Sequence, residues 1–440
     1  MTMSRGGSAW ASWVISGCVA ALCLWVTPVL SEPSLDAPVI SDIRFEGNRV
    51  TRESVMRQEL IVERGDPLDA QAIEDTRQAL MNMGLFQSVE SRVEVVNGEA
   101  EVTFTVREKF YIFPLPRLSR TSDGDIRYGG DVRFDNFLGY NQVLRLRAEW
   151  EDAGSDTSEE ESRTLSASYS IPRIPHTAWG LTLSFEDERV VESASEEDGH
   201  GDHDKDTLQL GASISRWLDR QGPSAGWRAS LGVNWNDRRY SPHDAGEAVP
   251  DDARVLSWSG GISFTDVADL GVRREGVEYG ASLSFGGEAI GSDTSHQNLS
   301  LFYRAYRPLG NGELSPNLNY QARFAVASRT AFGDEAYSLG GGSNLRGYPR
   351  DYREGDLLML LNTEYLHPLF GRPDVRGVGF VDLGGVWPRR DVDLSDVHVG
   401  AGLGLRINLR WFVRTDLRVD YAYGFSANES RAYFGTSHAF

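Results

Sequence analysis

One arginine stands on an unusually pliable stretch of backbone. Residues 340–352 read GGGSNLRGYPRDY, with Arg346 between Leu345 and Gly347 and a run of glycines shortly before them. A guanidinium presents a planar fork of N–H donors that suits carboxylates, and lysine does not replace it in such a site. Glycine lets a backbone pass close to a neighbouring wall. The stretch therefore predicts either a loop that carries Arg346 to carboxylates in a confined site or a solvated loop with incidental charges.

The chain lacks the motifs of several common enzyme classes. It contains neither a G-x-S-x-G nucleophile elbow nor a G-x-x-x-x-G-K-[ST] phosphate loop, and its only cysteines are Cys18 and Cys23. The segment DGHGDHDKD, residues 198–206, sets His200 and His203 among aspartates without the turn glycine and distal glutamate of an EF-hand. We interpret it as a solvated acidic outer loop, with weak divalent-ion binding as the alternative. The sequence predicts no enzyme, no cofactor and no metal site.

The net charge and the N-terminal residues indicate which partners are excluded and that the chain is exported. Asp and Glu number 64 against 44 Lys and Arg, and this net charge of -20 argues against a nucleic-acid partner. Residues 1–31 carry one base, Arg5, no acid and an apolar run from Trp13 to Val26, so they predict a cleaved secretory signal. A lipoprotein cleavage box at Cys18 and an uncleaved inner-membrane anchor are the alternatives. No later stretch approaches about 18 apolar residues, so a mature chain in a membrane would cross it without helices.

Residues 32–107 predict a small α+β domain. A period-two strand begins at Val39, helices follow at Thr51 to Glu63 and at Asp69 to Met83, and two alternating runs flank Asn97-Gly98. Asn-Gly between alternating runs is a strong hairpin signal. The predicted order is β-α-α-β-β, and a sheet of three strands leaves edges whose backbone groups can pair with an extended peptide.

Residues 108–440 predict an all-β transmembrane barrel of about 16 antiparallel strands. In QVLRLRAEW, residues 142–150, apolar and charged side chains alternate, and the same dyad recurs in later segments. Short turns alternate with long polar connections at 151–162, 187–205 and 237–253, as an outer-membrane barrel requires. The chain also ends on Phe440, as such barrels commonly do.

The motifs of the small domain and of the arginine loop resemble one family. FEGN, GLF and the closing VRE resemble a POTRA domain, the periplasmic module of the BamA/TamA-like outer-membrane assembly and translocation superfamily, whose members include surface-antigen-type barrels. The segment Leu345 to Tyr348 is similar to the [VI]-R-G-[FY] motif of the sixth loop in that superfamily, with leucine as a departure.

Three positions downstream complete the resemblance. Phe380, Asp382 and Gly384 match the F-x-D-x-G motif of an inner-wall strand, and Glu364 occupies a third matching position. The resemblance implies that the loop folds into the barrel and that Arg346 meets Asp382 and Glu364 there.

The resemblance implies a function in protein insertion or translocation at the outer membrane of a Gram-negative cell. The POTRA-like domain would dock unfolded or extended clients in the periplasm, with periplasmic proteins as further partners. Outer-membrane lipid and lipopolysaccharide would surround the barrel. A gated passive pore for polar solutes is the alternative.

The first barrel strand predicts a weak seam. If residues 109–118 form that strand, Pro114 and Pro116 both lack N–H donors toward the same neighbour. If that neighbour is the closing strand that runs to Phe440, few hydrogen bonds hold the barrel there. The alternative is that these prolines lie in a linker below the membrane.

Overall fold

A computed structural model describes nine segments of the chain: residues 38–120, 126–152, 161–175, 177–192, 201–219, 225–244, 247–329, 336–413 and 416–436. The predicted signal at 1–31 and the terminal Phe440 lie outside these segments. No helix among the described residues is both long enough and apolar enough to cross a membrane.

The N-terminal part forms a three-stranded sheet with two helices. Its elements are β1 (Val39–Glu46), α1 (Glu53–Arg57), α2 (Ala70–Asn82), β2 (Phe86–Val96) and β3 (Glu99–Glu108). The strand order is β1-β3-β2, with β1 parallel and β2 antiparallel to β3. The predicted β-α-α-β-β order is confirmed. The open side of β2 pairs with no strand in the described part of the chain.

The two helices differ in whether a side chain caps the free backbone N–H groups of the first turn. The Asp69 side chain accepts a hydrogen bond from the Gln71 amide at 2.9 Å and caps α2 as the sequence predicts. Arg52 supplies no such cap to α1, and the Glu63 amide bonds to the Asp66 carboxylate at 2.7 Å instead of a helical carbonyl. The first helix is therefore much shorter than the predicted 51–63.

A 16-stranded antiparallel sheet follows, and the predicted fold class is confirmed. Its first eight strands are β4 (Ile112–Arg120), β5 (Ile126–Phe137), β6 (Gln142–Asp152), β7 (Glu161–Ile171), β8 (Trp179–Glu192), β9 (His203–Trp217), β10 (Ala225–Pro242) and β11 (Ala253–Asp269). Next come β12 (Arg274–Gly286), a 3₁₀ turn (Glu288–Ile290), β13 (His296–Pro308), β14 (Asn317–Arg329), and the short pair β15 (Tyr337–Leu339) and β16 (Arg353–Gly355). The sheet continues with β17 (Leu357–Leu369), β18 (Arg372–Trp387), β19 (His398–Asn408), β20 (Asp416–Gly424) and β21 (Glu429–Gly435). Neighbours in the sheet are consecutive except that β14 pairs with β17, because β15 and β16 form a separate hairpin in the loop between them.

Several strands run further outward than the sequence predicts. The connections predicted at 187–205 and 237–253 shorten to 193–202 and 243–252. Cross-strand ion pairs extend the ladder, since Arg189 binds both oxygens of Asp206 at 2.7 and 2.9 Å and Lys205 binds Glu192. Polar composition alone indicated a loop there, but opposite charges directly across a sheet stabilise strand pairing.

Side chains on β17 alternate between two environments. Every second residue from Leu358 to Leu366 is buried on the inner face, whereas Met359, Leu361 and Tyr365 are exposed on the outer face. Glu364 belongs to the inner set. The inner set combines two polar residues with leucines, whereas the outer face is mainly apolar, as a membrane barrel requires of the side that meets lipid.

The small domain lies against the turns at one end of the sheet, and residues 38–440 form one compact unit. The Arg52 amide donates to the Gly139 carbonyl at 3.0 Å, and Arg173 donates to Glu59 at 2.9 Å. The Gln78 amide group donates to the Asp269 carbonyl at 2.9 Å. Contacts after β5, after β7 and at the end of β11 thereby hold the domain.

Candidate functional site

The loop between β14 and β17 delivers Arg346 to the inner face of the sheet. The Asn344 side chain accepts hydrogen bonds from the amides of Gly340 and Leu345 at 2.8 and 2.6 Å, which turns the backbone sharply. Leu345 is fully buried in an apolar cluster with Leu339 and neighbouring side chains of β14, β17 and β18. The loop is therefore anchored immediately before the arginine.

Arg346 forms a bidentate pair of hydrogen bonds with the carboxylate of Asp382. Its Nε and Nη2 donate to the two oxygens of Asp382 at 2.6 and 2.7 Å, and its backbone amide donates at 3.1 Å. Its Nη1 donates to Glu364 at 2.6 Å. The structure thus brings together the three residues that the resemblance paired, and none exposes more than 1% of its side chain.

Two further arginines and one aspartate complete the cluster. Asp420 accepts from Arg346 at 3.2 Å and from Arg418 at 2.6 Å, and it also pairs with Arg406. Arg406 donates to Glu364 at 2.8 Å. Three guanidinium groups face three carboxylates, which we call the arginine network, and these formal charges cancel. Balance matters because an unpaired buried charge is costly.

Phe380 and two glycines shape the space around the arginine. The Arg346 guanidinium carbon lies 3.5 Å from the centroid of the Phe380 ring, a cation–π contact. Gly347 has φ +95°, and a Cβ there would lie 2.5 Å from the Gly424 nitrogen. A Cβ at Gly384 would lie 2.8 Å from a methyl carbon of Leu339. The glycines of both motifs therefore allow the loop to approach the wall.

Tyr348 and Tyr433 connect the loop to β19 and β21. The Tyr348 hydroxyl donates to the Val399 carbonyl at 2.8 Å. The Tyr433 hydroxyl accepts from the Gly347 amide at 3.0 Å and donates to the Tyr348 carbonyl at 3.1 Å. Tyr433 lies on β21, the last strand, so one side chain ties that strand to the loop.

Comparison with known families identifies the chain. The Omp85 superfamily domain matches residues 136–440, more than half of the chain, and a POTRA model described as a surface antigen variable number repeat matches residues 38–109. The chain belongs to the Omp85 superfamily. The resemblance in the loop and strand motifs is thereby confirmed at the level of the family.

Two relatives of this Omp85 chain carry functional names. It is 24% identical over 366 residues to the outer membrane transporter CdiB of Dickeya dadantii, covering 77% of this chain and 62% of the relative. It is 23% identical over 430 residues to the outer membrane protein assembly factor BamA of Nitratidesulfovibrio vulgaris, covering 89% and 49%. Among solved structures, CdiB from Acinetobacter baumannii shares the fold with a TM-score of 0.62 at 16% identity, covering 91% of this chain and 73% of that one.

The family motifs do not include half of the arginine network. Arg406 lies on β19, and Arg418 and Asp420 lie on β20. The sequence did contain a signal for two of them. In DLRVDYAYG, residues 416–424, the side chains alternate between two faces, so Arg418 and Asp420 lie on the same face as Ala422. A charge on the inner face of a membrane strand requires a partner. The identity of that partner depends on strand register, which the sequence does not specify.

The seam prolines lie within β4 and are not in a linker. Pro114 is opposite Val132 and Pro116 is opposite Gly130 on β5. In the same register the Asp135 amide donates to the Tyr111 carbonyl at 2.6 Å. Hydrogen-bonded positions alternate along an antiparallel pair, so the nitrogens of both prolines face away from β5.

The free edges of β4 and β21 are the two ends of the strand order. Among the described residues, no hydrogen-bonded pair joins β4 to β21. Below them the Phe110 amide donates to the Trp411 carbonyl at 2.6 Å, which ties the start of β4 to the turn between β19 and β20. Phe440 lies outside the described residues.

The histidine-rich outer segment forms no metal site within the part that the structure describes. His203 contacts the Glu192 carboxylate at 3.3 Å and the Gly201 carbonyl at 2.7 Å, whereas His200 lies outside the described residues. No group of three or more His, Cys, Asp or Glu side chains in the described segments is arranged to hold a metal ion.

Proposed function

We propose that this Omp85 protein lies in the outer membrane, with its POTRA-like domain in the periplasm, and assists insertion or translocation of protein clients. The observation that carries the proposal is an open-edged sheet, β1-β3-β2, held directly beneath a 16-stranded sheet whose end strands are unpaired with each other in the described residues. Extended polypeptides bind to open edges by main-chain hydrogen bonds. Open edges in both sheets, among the residues that the structure describes, therefore suit a protein that handles unfolded clients.

The first open edge would receive the client. From Glu90 to Val96 every residue of β2 is exposed. The contacts of Gly139, Arg173 and Asp269 keep the domain at the base of the sheet. A client paired with β2 would consequently be held beside the place where β4 begins.

The second open edge, on β4, would be the part of the barrel that opens for the client. Pro114 and Pro116 remove two donors from the outward side of β4, so a pairing there has fewer hydrogen bonds than an ordinary strand pair. We propose that this edge is a seam that opens laterally. The arginine network would hold the loop and, through Tyr433, the last strand while the seam opens.

The names of two relatives support a function in protein assembly or transport at the outer membrane. One relative is named as a transporter and the other as an assembly factor, and this chain spans 62% and 49% of their lengths. Unfolded or extended proteins are therefore the proposed clients. Periplasmic partner proteins and the surrounding lipid and lipopolysaccharide belong to the same proposal.

Reconstitution into liposomes tests the proposal. A urea-unfolded barrel client is diluted onto liposomes that contain the protein, and protease-protected client is measured over time. Protection should exceed that of empty liposomes. Glu94→Pro and Val95→Pro, at neighbouring positions whose amides face opposite sides of β2, should separate edge binding from folding of the small domain, with alanine at the same positions as controls. Ion conductance without any gain in client protection would favour the passive pore.

A further inference from the structure

A basic cleft opens between the small domain and the turns beneath the sheet. Its volume is about 390 Å³. Four cations line it: Arg77 on α2, Arg107 at the end of β3, Lys109 just after it, and Arg410 in the turn between β19 and β20. Among the described residues of the lining, Glu313 is the one carboxylate. Such a concentration of positive charge stands out in a chain of net charge -20.

Two of the four cations, Arg77 and Lys109, already have partners within the protein. Arg77 is paired with Glu74 at 2.6 Å. Arg410 lies 3.4 Å from Glu313, but both side chains are largely exposed, so the pair is screened by water. The Arg107 guanidinium forms no ion pair or hydrogen bond with any residue that the structure describes. The cleft therefore retains capacity for an anion.

The position of the cleft indicates which kind of anion. Gln87, Ser88 and Val89, at the start of β2, form one wall. The same strand has the open edge on which an extended peptide would pair. A peptide that extends along β2 toward the sheet would run directly into the cleft, where arginine forks bind carboxylates through charge-assisted hydrogen bonds.

We propose that the cleft binds a carboxylate of an extended peptide that is paired with β2. This inference rests on the proposed function and adds a chemical preference to it: clients are favoured when an acidic side chain or a free C-terminus follows the paired segment. Arg107 and Arg410 would hold the carboxylate from two sides of the cleft. The small domain and the barrel turns would then both contribute to recognition, which neither could perform alone.

Three labelled peptides test the preference against the full-length protein in detergent micelles. All share one alternating valine-threonine segment. The first ends in a free carboxylate, the second has an amidated end and an aspartate in the following segment, and the third is amidated without any acid. Fluorescence anisotropy measures the Kd of each. The first two peptides also distinguish the terminal carboxylate from the side-chain carboxylate as the source.

Charge-matched variants locate the effect. Arg107→Gln and Arg410→Gln should each weaken binding of an acidic peptide about tenfold, the loss expected from one charge-assisted hydrogen bond, and should leave the neutral peptide unchanged. Arg64→Gln also removes one positive charge from the small domain. Arg64 is exposed in the connection between α1 and α2, on neither β2 nor the lining of the cleft, so this change should leave the Kd values of acidic and neutral peptides unchanged.

Several outcomes would overturn the inference. Equal Kd values for acidic and neutral peptides, insensitive to Arg107→Gln, would leave edge binding and the proposed function intact but remove the carboxylate preference. An anionic phosphatidylglycerol vesicle that binds with the same dependence on Arg107, while acidic peptides do not, would assign the cleft to lipid headgroups. If no peptide binds and client protection is also absent from the liposome assay, the proposed function itself fails.

Discussion

Replacing Arg346 with alanine should release the loop without unfolding the barrel. The substitution removes the two guanidinium bonds to Asp382 and the single bonds to Glu364 and Asp420. Glu364 keeps its contact with Arg406 at 2.8 Å, and Asp420 keeps both Arg406 and Arg418. Only Asp382 loses its cation. The strand ladders elsewhere are untouched, so we expect local opening.

The free-energy cost of the substitution follows from the one carboxylate, that of Asp382, which loses its cation. Breaking a buried ion pair by removing one partner costs roughly 3–5 kcal/mol. Asp382 would retain the residue-346 backbone amide at 3.1 Å and the Asn362 side chain at 2.8 Å, so the lower figure applies. Since 1.4 kcal/mol is tenfold, about 3 kcal/mol raises the open fraction about a hundredfold. Arg346→Lys should come close to this value, because one ammonium cannot span two carboxylates.

A buried cysteine can report the opening. Ala325 lies on β14 beneath the loop and is 3% exposed, so Ala325→Cys should react with a thiol probe only when the loop leaves. Ser343 is already exposed in the closed loop and makes a poor reporter. Labelling should accelerate about a hundredfold in Arg346→Ala if opening is in rapid equilibrium. Arg350→Ala, in the same loop with an exposed side chain, is the control and should label like the parent.

A charge-balanced double variant separates electrostatics from lost packing. Arg346→Ala with Asp382→Asn leaves Arg406 and Arg418 facing Glu364 and Asp420, two charges of each sign. Labelling should then fall back to within about tenfold of the parent, because no buried carboxylate is stranded. If Arg346→Ala, Arg350→Ala and the parent label at equal rates, the arginine network does not hold the loop and the reasoning is wrong.

Four other changes probe the same architecture. Tyr433→Phe should speed amide exchange on β21, because it removes two hydrogen bonds to the loop, each worth about 1 kcal/mol. Gly400→Ala should accelerate labelling of Ala325→Cys, since a Cβ there would lie 2.0 Å from the carbonyl oxygen of the loop arginine. Pro114→Val restores a donor on the free edge of β4 and should slow client insertion. Burial acts to raise the pKa of Glu108, but the Thr51 hydroxyl and the amides of residues 49–51 hold it below its ordinary value. The stability that this carboxylate contributes is present above its unfolded pKa and is lost as pH falls through the lowered one, so the protection factors of those amides, which correct for the slower intrinsic exchange in acid, should fall.

Each of these predictions has either a matched control variant or a stated outcome that would contradict it. Tyr421→Phe, on the exposed face of β20, should leave exchange on β21 unchanged. Gly379→Ala meets nothing closer than 4.0 Å and should not alter labelling. Unchanged insertion after Pro114→Val would remove the seam. In Glu108→Gln, the protection factors at residues 49–51 should no longer fall in acid, and a fall that persists would show that another group titrates.

The sequence was sufficient for features that depend on neighbouring residues. The β-α-α-β-β order follows from period-two runs, the Asp69 cap and the Asn97-Gly98 turn, because caps, turns and alternation are set within a few residues. The dyad pattern predicted the antiparallel sheet for the same reason. The meeting of Arg346 with Asp382 and Glu364 was expected only from family resemblance. Local polarity misled where cross-strand pairs such as Arg189 with Asp206 extend strands that read as loops.

Only the tertiary structure decided which distant residues share a site. Arg406 and Asp420 join the arginine network because strand register aligns the inner faces of β17 to β20, and register is a property of many strands together. The side toward which Pro114 and Pro116 lack donors depends on the hydrogen-bonding phase with β5. The basic cleft combines Arg107 with Arg410, from segments about 300 residues apart, so no local pattern could predict it. Contacts between residues so far apart in the chain depend on the whole fold. The sequence alone therefore determined the order and type of most elements, and the packed structure determined which residues form the sites.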